Sequence, residues 1–168
     1  MKKMKRLVAV LLAGIMALAV LTACGGTPSA PVTRDEALEK SVAEWTVELG
    51  KGANLELTED AELTAISDKC LSATVKIYDA KDEDAANAAE TDLKKAFVAA
   101  TKGKKVAPVP VYIPGTKVTK DALAQAVQND MSNIQADLER FGVNKPAKFG
   151  VTVTKQDEYT LILFMVSE

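Results

Sequence analysis

The sequence predicts a single α+β domain: an α/β/α sandwich of about four helices around a small mixed or antiparallel sheet, closed by a C-terminal β-hairpin. Three observations predict it. Apolar residues recur at helical spacing in four stretches between Thr33 and Phe141. The segment Tyr159 to Val166 (YTLILFMV) is apolar on both faces of a strand, so helices should cover both sides of its sheet. Of the 168 residues, 145 follow Ala23, enough for one domain with a sizeable core.

The first helix is signposted by Thr33 and Glu36, spaced as a capping box in which each side chain satisfies a backbone N–H of the first turn. Leu38, Val42, Trp45 and Leu49 follow on one stripe, and Gly50 supplies a stop. A second helix starts after Thr58, with Leu63, Ile66 and Cys70 on its stripe. Its end is open. Thr74 to Tyr78 (TVKIY) is β-branched and reads as a strand, while Ala73 and Ile77 continue the helical stripe.

Asp79 to Gly103 reads as the third helix, with Ala86, Ala89, Leu93, Phe97 and Ala100 as its buried face. Asp82, Glu83 and Asp84 lie at its start and Lys94, Lys95 and Lys102 toward its end, complementing the helix dipole. Val106 to Ile113 is apolar, but Pro108 and Pro110 cannot donate to a ladder, which confines the segment to a sheet edge or an extended stretch. The fourth helix runs from Thr119 to Phe141 with one continuous stripe: Leu123, Val127, Met131, Ile134, Leu138 and Phe141. Val118 and Leu123 sit at staple positions around a Thr119 cap. The hairpin follows: Phe149, Val151 and Val153 alternate with Gly150, Thr152 and Thr154, then comes a turn at residues 155–158, then the final strand.

The N-terminus carries an address. Lys2, Lys3, Lys5 and Arg6 precede an apolar run from Leu7 to Leu21, the layout of a secretory signal. The run is short for a membrane span. Leu21-Thr22-Ala23-Cys24 resembles a bacterial lipobox, and that resemblance implies cleavage before Cys24 and lipidation of its thiol. Residues 1–23 would then be a lipoprotein signal peptide, 24–32 a lipidated cysteine with a short tether (Gly25 to Val32, GGTPSAPV), and 33–168 one extracytoplasmic domain. Such a tether spans at most about 30 Å.

Without the signal, seventeen basic residues face twenty-three acidic ones, a formal charge of −6. A mildly acidic domain has no electrostatic footprint for nucleic acid and is repelled by an anionic membrane surface, so the lipid does the anchoring. Beyond Cys24 only Cys70 remains, so a lipidated chain has no intrachain disulfide. Histidine is absent, which removes the commonest general base and metal ligand. No nucleotide loop, nucleophile elbow or Ser-x-x-Lys pattern is present.

Three stretches carry a resemblance: Glu44 to Leu71, in which Leu57-Thr58-Glu59-Asp60-Ala61-Glu62-Leu63 leads into a helix; the helix Asp121 to Leu138; and Phe149-Gly150-Val151-Thr152-Val153 followed by Tyr159 to Val166. Together they resemble a CAP-type domain, the secreted family with pathogenesis-related and venom-type members, over about residues 34–168. The resemblance implies an α/β/α sandwich. The family's cleft is lined by two histidines and two acidic residues. With no histidine here, no family site residue carries over, and neither a metal nor another cofactor is implied.

Each remaining polar or reactive feature has a structural explanation beside its chemical one. Cys70 could be a reactive thiol, but it shares the stripe of Leu63 and Ile66. Asp79, Asp82, Glu83 and Asp84 could face calcium, but they lack the spacing of a calcium loop and suit a helix start. Lys102-Gly103-Lys104-Lys105 could meet lipid headgroups or an anionic glycopolymer, and equally suits a helix end. Trp45 could stack on a sugar but falls on the first helix's apolar stripe. Pro108 to Pro114 could bind a partner in extended form or form an edge strand. The expectation is a lipid-anchored cell-envelope protein, outside the cytoplasm, with a binding or structural role and no catalytic one. Its expected partners are the membrane through Cys24 and an envelope protein or glycan. The alternatives are a hydrolase using an Asp/Glu pair, glycan-active for example, and a carrier of lipids or small apolar ligands.

Overall fold

The computed structural model describes residues 32–168. The expected signal segment, Cys24 and the expected tether as far as residue 31 lie outside the described residues. The chain forms helix α1 (Glu36–Gly52), strand β1 (Thr58–Glu59), α2 (Ala61–Tyr78), α3 (Glu83–Thr101), β2 (Ala107–Pro114), α4 (Lys120–Asn129), α5 (Met131–Arg140), β3 (Lys148–Lys155) and β4 (Tyr159–Ser167). No described helix is long and apolar enough to cross a membrane. The sheet is mixed, in the order β1-β3-β4-β2: β3 and β4 form the antiparallel C-terminal hairpin, β2 runs antiparallel on β4, and β1 parallel on β3.

The doubly apolar last strand lies in the middle of the sheet, and every residue from Tyr159 to Met165 is buried. Tyr159, Leu161, Leu163 and Met165 enter the core beneath α2 and α3. Ile162 and Phe164 enter a second core beneath α1 and α4. Period-2 alternation on a strand covered on both faces produces this three-layer α/β/α arrangement.

Asp82 caps α3, its carboxylate accepting from the Ala85 N–H at 2.8 Å, and Ala86, Ala89, Leu93 and Phe97 are buried as the stripe predicts. Thr74 to Tyr78 is helical, the last turn of α2, because Ala73 and Ile77 pack in the first core. Two expectations need correction. The cap of α1 is Asp35, which accepts from the Leu38 N–H at 3.0 Å; Thr33 stays outside the helix because the Thr154 hydroxyl holds its carbonyl at 2.9 Å.

The fourth helix is two helices, so the domain has five. Asp130, with φ −109° and ψ 9°, separates α4 from α5, and its carboxylate accepts from the Asn133 side chain. One sequence stripe still serves two cores, and the change falls after α5 rather than at the break. Leu123, Val127 and Ile134 pack in the second core, whereas Phe141 packs in the first, edge-on to Phe97 at 5.5 Å. Met131, on the expected stripe, is 48% exposed.

Both sheet edges are closed to a further strand. On β3 the outward-facing groups are those of the odd residues. Asp60 N–H donates to the Phe149 carbonyl (2.7 Å), Val151 N–H to Thr64 Oγ1 (3.4 Å) and Val153 N–H to Glu39 Oε1 (2.9 Å). The register through β4 then puts the odd residues of β2 on the ladder and Pro108, Pro110 and Pro114 on the outer edge. Prolines there leave almost no donors for edge-to-edge pairing.

Candidate functional site

The segment entering α1 is fixed to β3 at several points. Asp35 N–H donates to the Val153 carbonyl at 2.8 Å, and the Asp35 carboxylate meets Lys155 Nζ at 2.7 Å. The Lys155 ammonium, followed by the Leu38 N–H, holds the Asp35 carboxyl below its ordinary pKa. Arg34 grips buried Glu39 through two bonds, Nε to Oε1 at 2.9 Å and Nη2 to Oε2 at 2.6 Å, and reaches Asp68 of α2 at 3.4 Å. The bond to Glu39 pushes the guanidinium pKa above its already high value, so Arg34 stays charged. A carboxylate that serves a two-pronged arginine and a strand N–H together ties the incoming chain, α1 and the sheet edge into one clamp.

At the same end of the sheet three tyrosines meet. The rings of Tyr78 and Tyr112 are stacked at 5.7 Å, those of Tyr112 and Tyr159 at 5.0 Å, and Tyr159 donates its hydroxyl to Asp79 at 2.7 Å. Burial, then the bond to Asp79, drives the Tyr159 phenol upward; burial, then the charge of Asp130, does the same for Tyr78. These two phenols stay protonated at ordinary pH. They lock the end of α2 onto β2 and β4 and are unsuited to act as bases.

Asp137 is the buried residue of α5, 5% exposed, and its carboxylate has no hydrogen-bond or ion-pair partner among the described residues. Burial pushes its pKa up to about 6, assisted by Asp130 and opposed by Arg140. The folded state therefore binds this proton where the unfolded chain has lost it. Stability from this group is fully present below about pH 4 and falls as pH rises toward 6. Water still reaches the Asp137 oxygens and screens the penalty, so Asp137→Asn is expected to gain on the order of 1 kcal/mol at pH 7.5 and nothing at pH 4, read by urea unfolding at both values. An unchanged pH slope in the variant would remove Asp137 as the cause.

The residues picked from the sequence do not converge. Cys70, on the core face of α2, is completely buried, and burial pushes its thiol up to about 12, so it packs as a small apolar residue. Trp45 is half-buried against the second core. Asp79 ends α2 and holds Tyr159, Asp82 caps α3, and Glu83 and Asp84 are exposed in the first turn. Among the described residues no group of three histidine, cysteine, aspartate or glutamate side chains is placed to hold a metal. Lys102, Gly103, Lys104 and Lys105 are exposed after α3, and Pro108 to Pro114 is the outer strand of the sheet.

Sequence reasoning missed the Arg34–Glu39 clamp, the tyrosine stack and the solitary Asp137. The clamp left one trace, an Arg and a Glu flanking a helix start. The tyrosines stand 34 and 47 positions apart and left none. Comparison with family models, with curated proteins and with solved structures finds no match to this chain.

Proposed function

We propose that this is a lipid-anchored protein of a bacterial cell envelope, exposed outside the cytoplasm, whose domain has a binding or structural role. The observation that carries the reading is Leu21-Thr22-Ala23-Cys24 behind a basic start and an apolar run. The clamp is consistent with it. A domain held by its N-terminus experiences load where the tether enters, and residues 33–35 there are fastened to β3 and α1. The non-catalytic part of the proposal draws on the absence of histidine and on the core, cap or edge roles of the candidate residues.

Cys24→Ala tests the anchor. The parent chain, expressed in bacteria, is expected in the membrane fraction until detergent releases it, with an acylated N-terminal cysteine seen by mass spectrometry. The variant is expected to be released or left unprocessed. Unchanged membrane retention of the variant would refute the lipid anchor.

One observation favours a second reading, a carboxylate hydrolase. Asp137 is a buried acid with a pKa pushed up to about 6, partly by the charge of Asp130 at the α4–α5 break, and a raised carboxyl pKa suits a proton donor. Glycan hydrolysis that falls above pH 6 and vanishes in Asp137→Asn would establish this reading over the binding one.

A further inference from the structure

The end of the sandwich remote from the N-terminal clamp collects cations from two distant stretches of chain. α3 ends at Thr101, and Lys102, Lys104 and Lys105 follow; α5 ends at Arg140, and Lys145 follows before β3. The two helix ends are joined by the Phe97–Phe141 contact at 5.5 Å. They are joined again where the stem of Lys105 passes Gly142, since a Cβ there would meet Lys105 Cδ and Cε at 3.7 Å. β2 starts opposite Val166 and β3 starts opposite Ser167, so both loops emerge at one end of the sheet. Thr33 and Asp35 are bonded to Thr154 and Val153 near the other end, roughly 20 Å along β3.

Lys102, Lys105, Arg140 and Lys145 enter no ion pair among the described residues; Lys104 meets Glu62 at 2.5 Å. Acids stand among them: Glu168 accepts from the Asn144 N–H, Glu139 accepts from Gln135, and Asp137 feels the Arg140 charge, so the unpaired lysines Lys102, Lys105 and Lys145 are the cations left for a ligand. Complementing the helix dipoles accounts for part of the charge, yet the last turn of α3 has no basic residue. The first cation after it, Lys102, is held at φ 49°, ψ 39°, a left-handed conformation that disfavours a side chain, directly before a glycine. That conformation ends α3, the Lys102 N–H donating to the Val98 carbonyl, and turns the chain out into the exposed loop.

We propose that this basic end docks a phosphodiester-linked glycopolymer of the envelope, a repeating polyanion held by exposed cations rather than enclosed in a pocket. The proposal rests on the envelope address above for where such a polymer is met. A polymer with regularly spaced charges suits several exposed cations on two loops, each contributing a weak, salt-sensitive contact. The tether enters at the opposite end of the sheet, which favours a polymer over the headgroups of the anchoring membrane. The exposed residues of both loops include no aromatic side chain on which a nucleic-acid base would stack.

The test measures binding of fluorescent poly(glycerol phosphate) to the full chain in neutral detergent at low salt and at about 200 mM salt. Neutral dextran and phosphatidylglycerol vesicles are the comparison probes. Binding is expected at low salt and should weaken about tenfold or more at the higher concentration. The triple variant Lys102→Glu, Lys105→Glu, Lys145→Glu should lose about tenfold at low salt. Lys76→Glu, Lys81→Glu, Lys117→Glu, toward the clamp end, should stay within about twofold. No binding at low salt, an equal loss in the second variant, or equal patch-dependent binding of vesicles or dextran overturns the proposal. Binding requires no lipid on Cys24, so a failed anchor experiment and a failed polymer experiment are distinguishable.

Discussion

Gly150→Ala is expected to abolish the native fold or cost about 3 kcal/mol or more of stability, read as a lowered urea midpoint or as insoluble expression. Gly150 lies on β3 where α2 crosses the sheet. A Cβ added there would stand 2.0 Å from the Thr64 backbone N, 2.2 Å from the Leu63 carbonyl carbon and 2.7 Å from Leu63 Cβ. The two nearest atoms are helix backbone, so no rotamer change relieves the clash. α2 would have to retreat by roughly 1 Å or more, against a close-packed interior that resists such displacement. The retreat would also loosen Ser67, whose hydroxyl bonds both Thr152 Oγ1 and the Leu163 carbonyl at 2.7 Å. Gly52→Ala, where an added Cβ meets nothing within 4 Å, is the control and should leave stability unchanged or slightly raised. A Gly150→Ala protein as stable as the parent would mean that α2 does not approach β3 this closely.

Glu39→Ala is expected to cost about 3 kcal/mol and to release the N-terminal segment from the sheet. The loss is larger than the ion pair itself explains. Arg34, 28% exposed at its side chain, can turn to water once Glu39 is gone. Val153 cannot: it is fully buried, and its N–H loses its acceptor. An orphaned buried donor costs more than the bond it made. Glu39→Gln retains an acceptor for Val153 and should lose less, about 1–2 kcal/mol. Hydrogen exchange at the Val153 amide separates the two effects, since its protection should collapse in Glu39→Ala and persist in Arg34→Ala. Equal exchange in those two variants would place the stabilisation in the ion pair alone.

The mutations differ in how visible their targets were. Gly150 stood out only as a small residue alternating with Phe149, Val151 and Val153. That pattern says it faces away from their side of the sheet, and nothing in it says that a helix backbone passes there. Glu39 falls one turn into an amphipathic helix, where glutamate is ordinarily solvated. Its burial depends on β3, more than a hundred residues later. Sequence separation hid both, because local patterns record which face a residue lies on and not what comes to meet that face.

The element pattern was legible for the same reason. Stripes at helical spacing placed α2 and α3, the alternation from Phe149 to Thr154 and the doubly apolar Tyr159 to Val166 placed the hairpin, and paired prolines placed β2 at an edge. The failures fall where two local signals compete and distant contacts decide. Thr33 with Glu36 had the spacing of a capping box, but Thr154 claimed the Thr33 carbonyl and Asp35 became the cap. The stripe from Leu123 to Phe141 was continuous in sequence, but the helix breaks at Asp130, and the two ends of the stripe, Leu123 and Phe141, belong to cores on opposite faces.

The sequence by itself determined the α+β class and the doubly apolar final strand, since each follows from periodicity, and the proposal of a lipid anchor rests on a short motif read in order. Only the tertiary structure decided that Glu39 clamps the chain entry, that three tyrosines stack at that end, that Asp137 is buried without a partner, and that cations on two distant loops share the other end. Those are meetings between segments many residues apart. They are fixed by how the helices pack across the sheet, which no local pattern encodes.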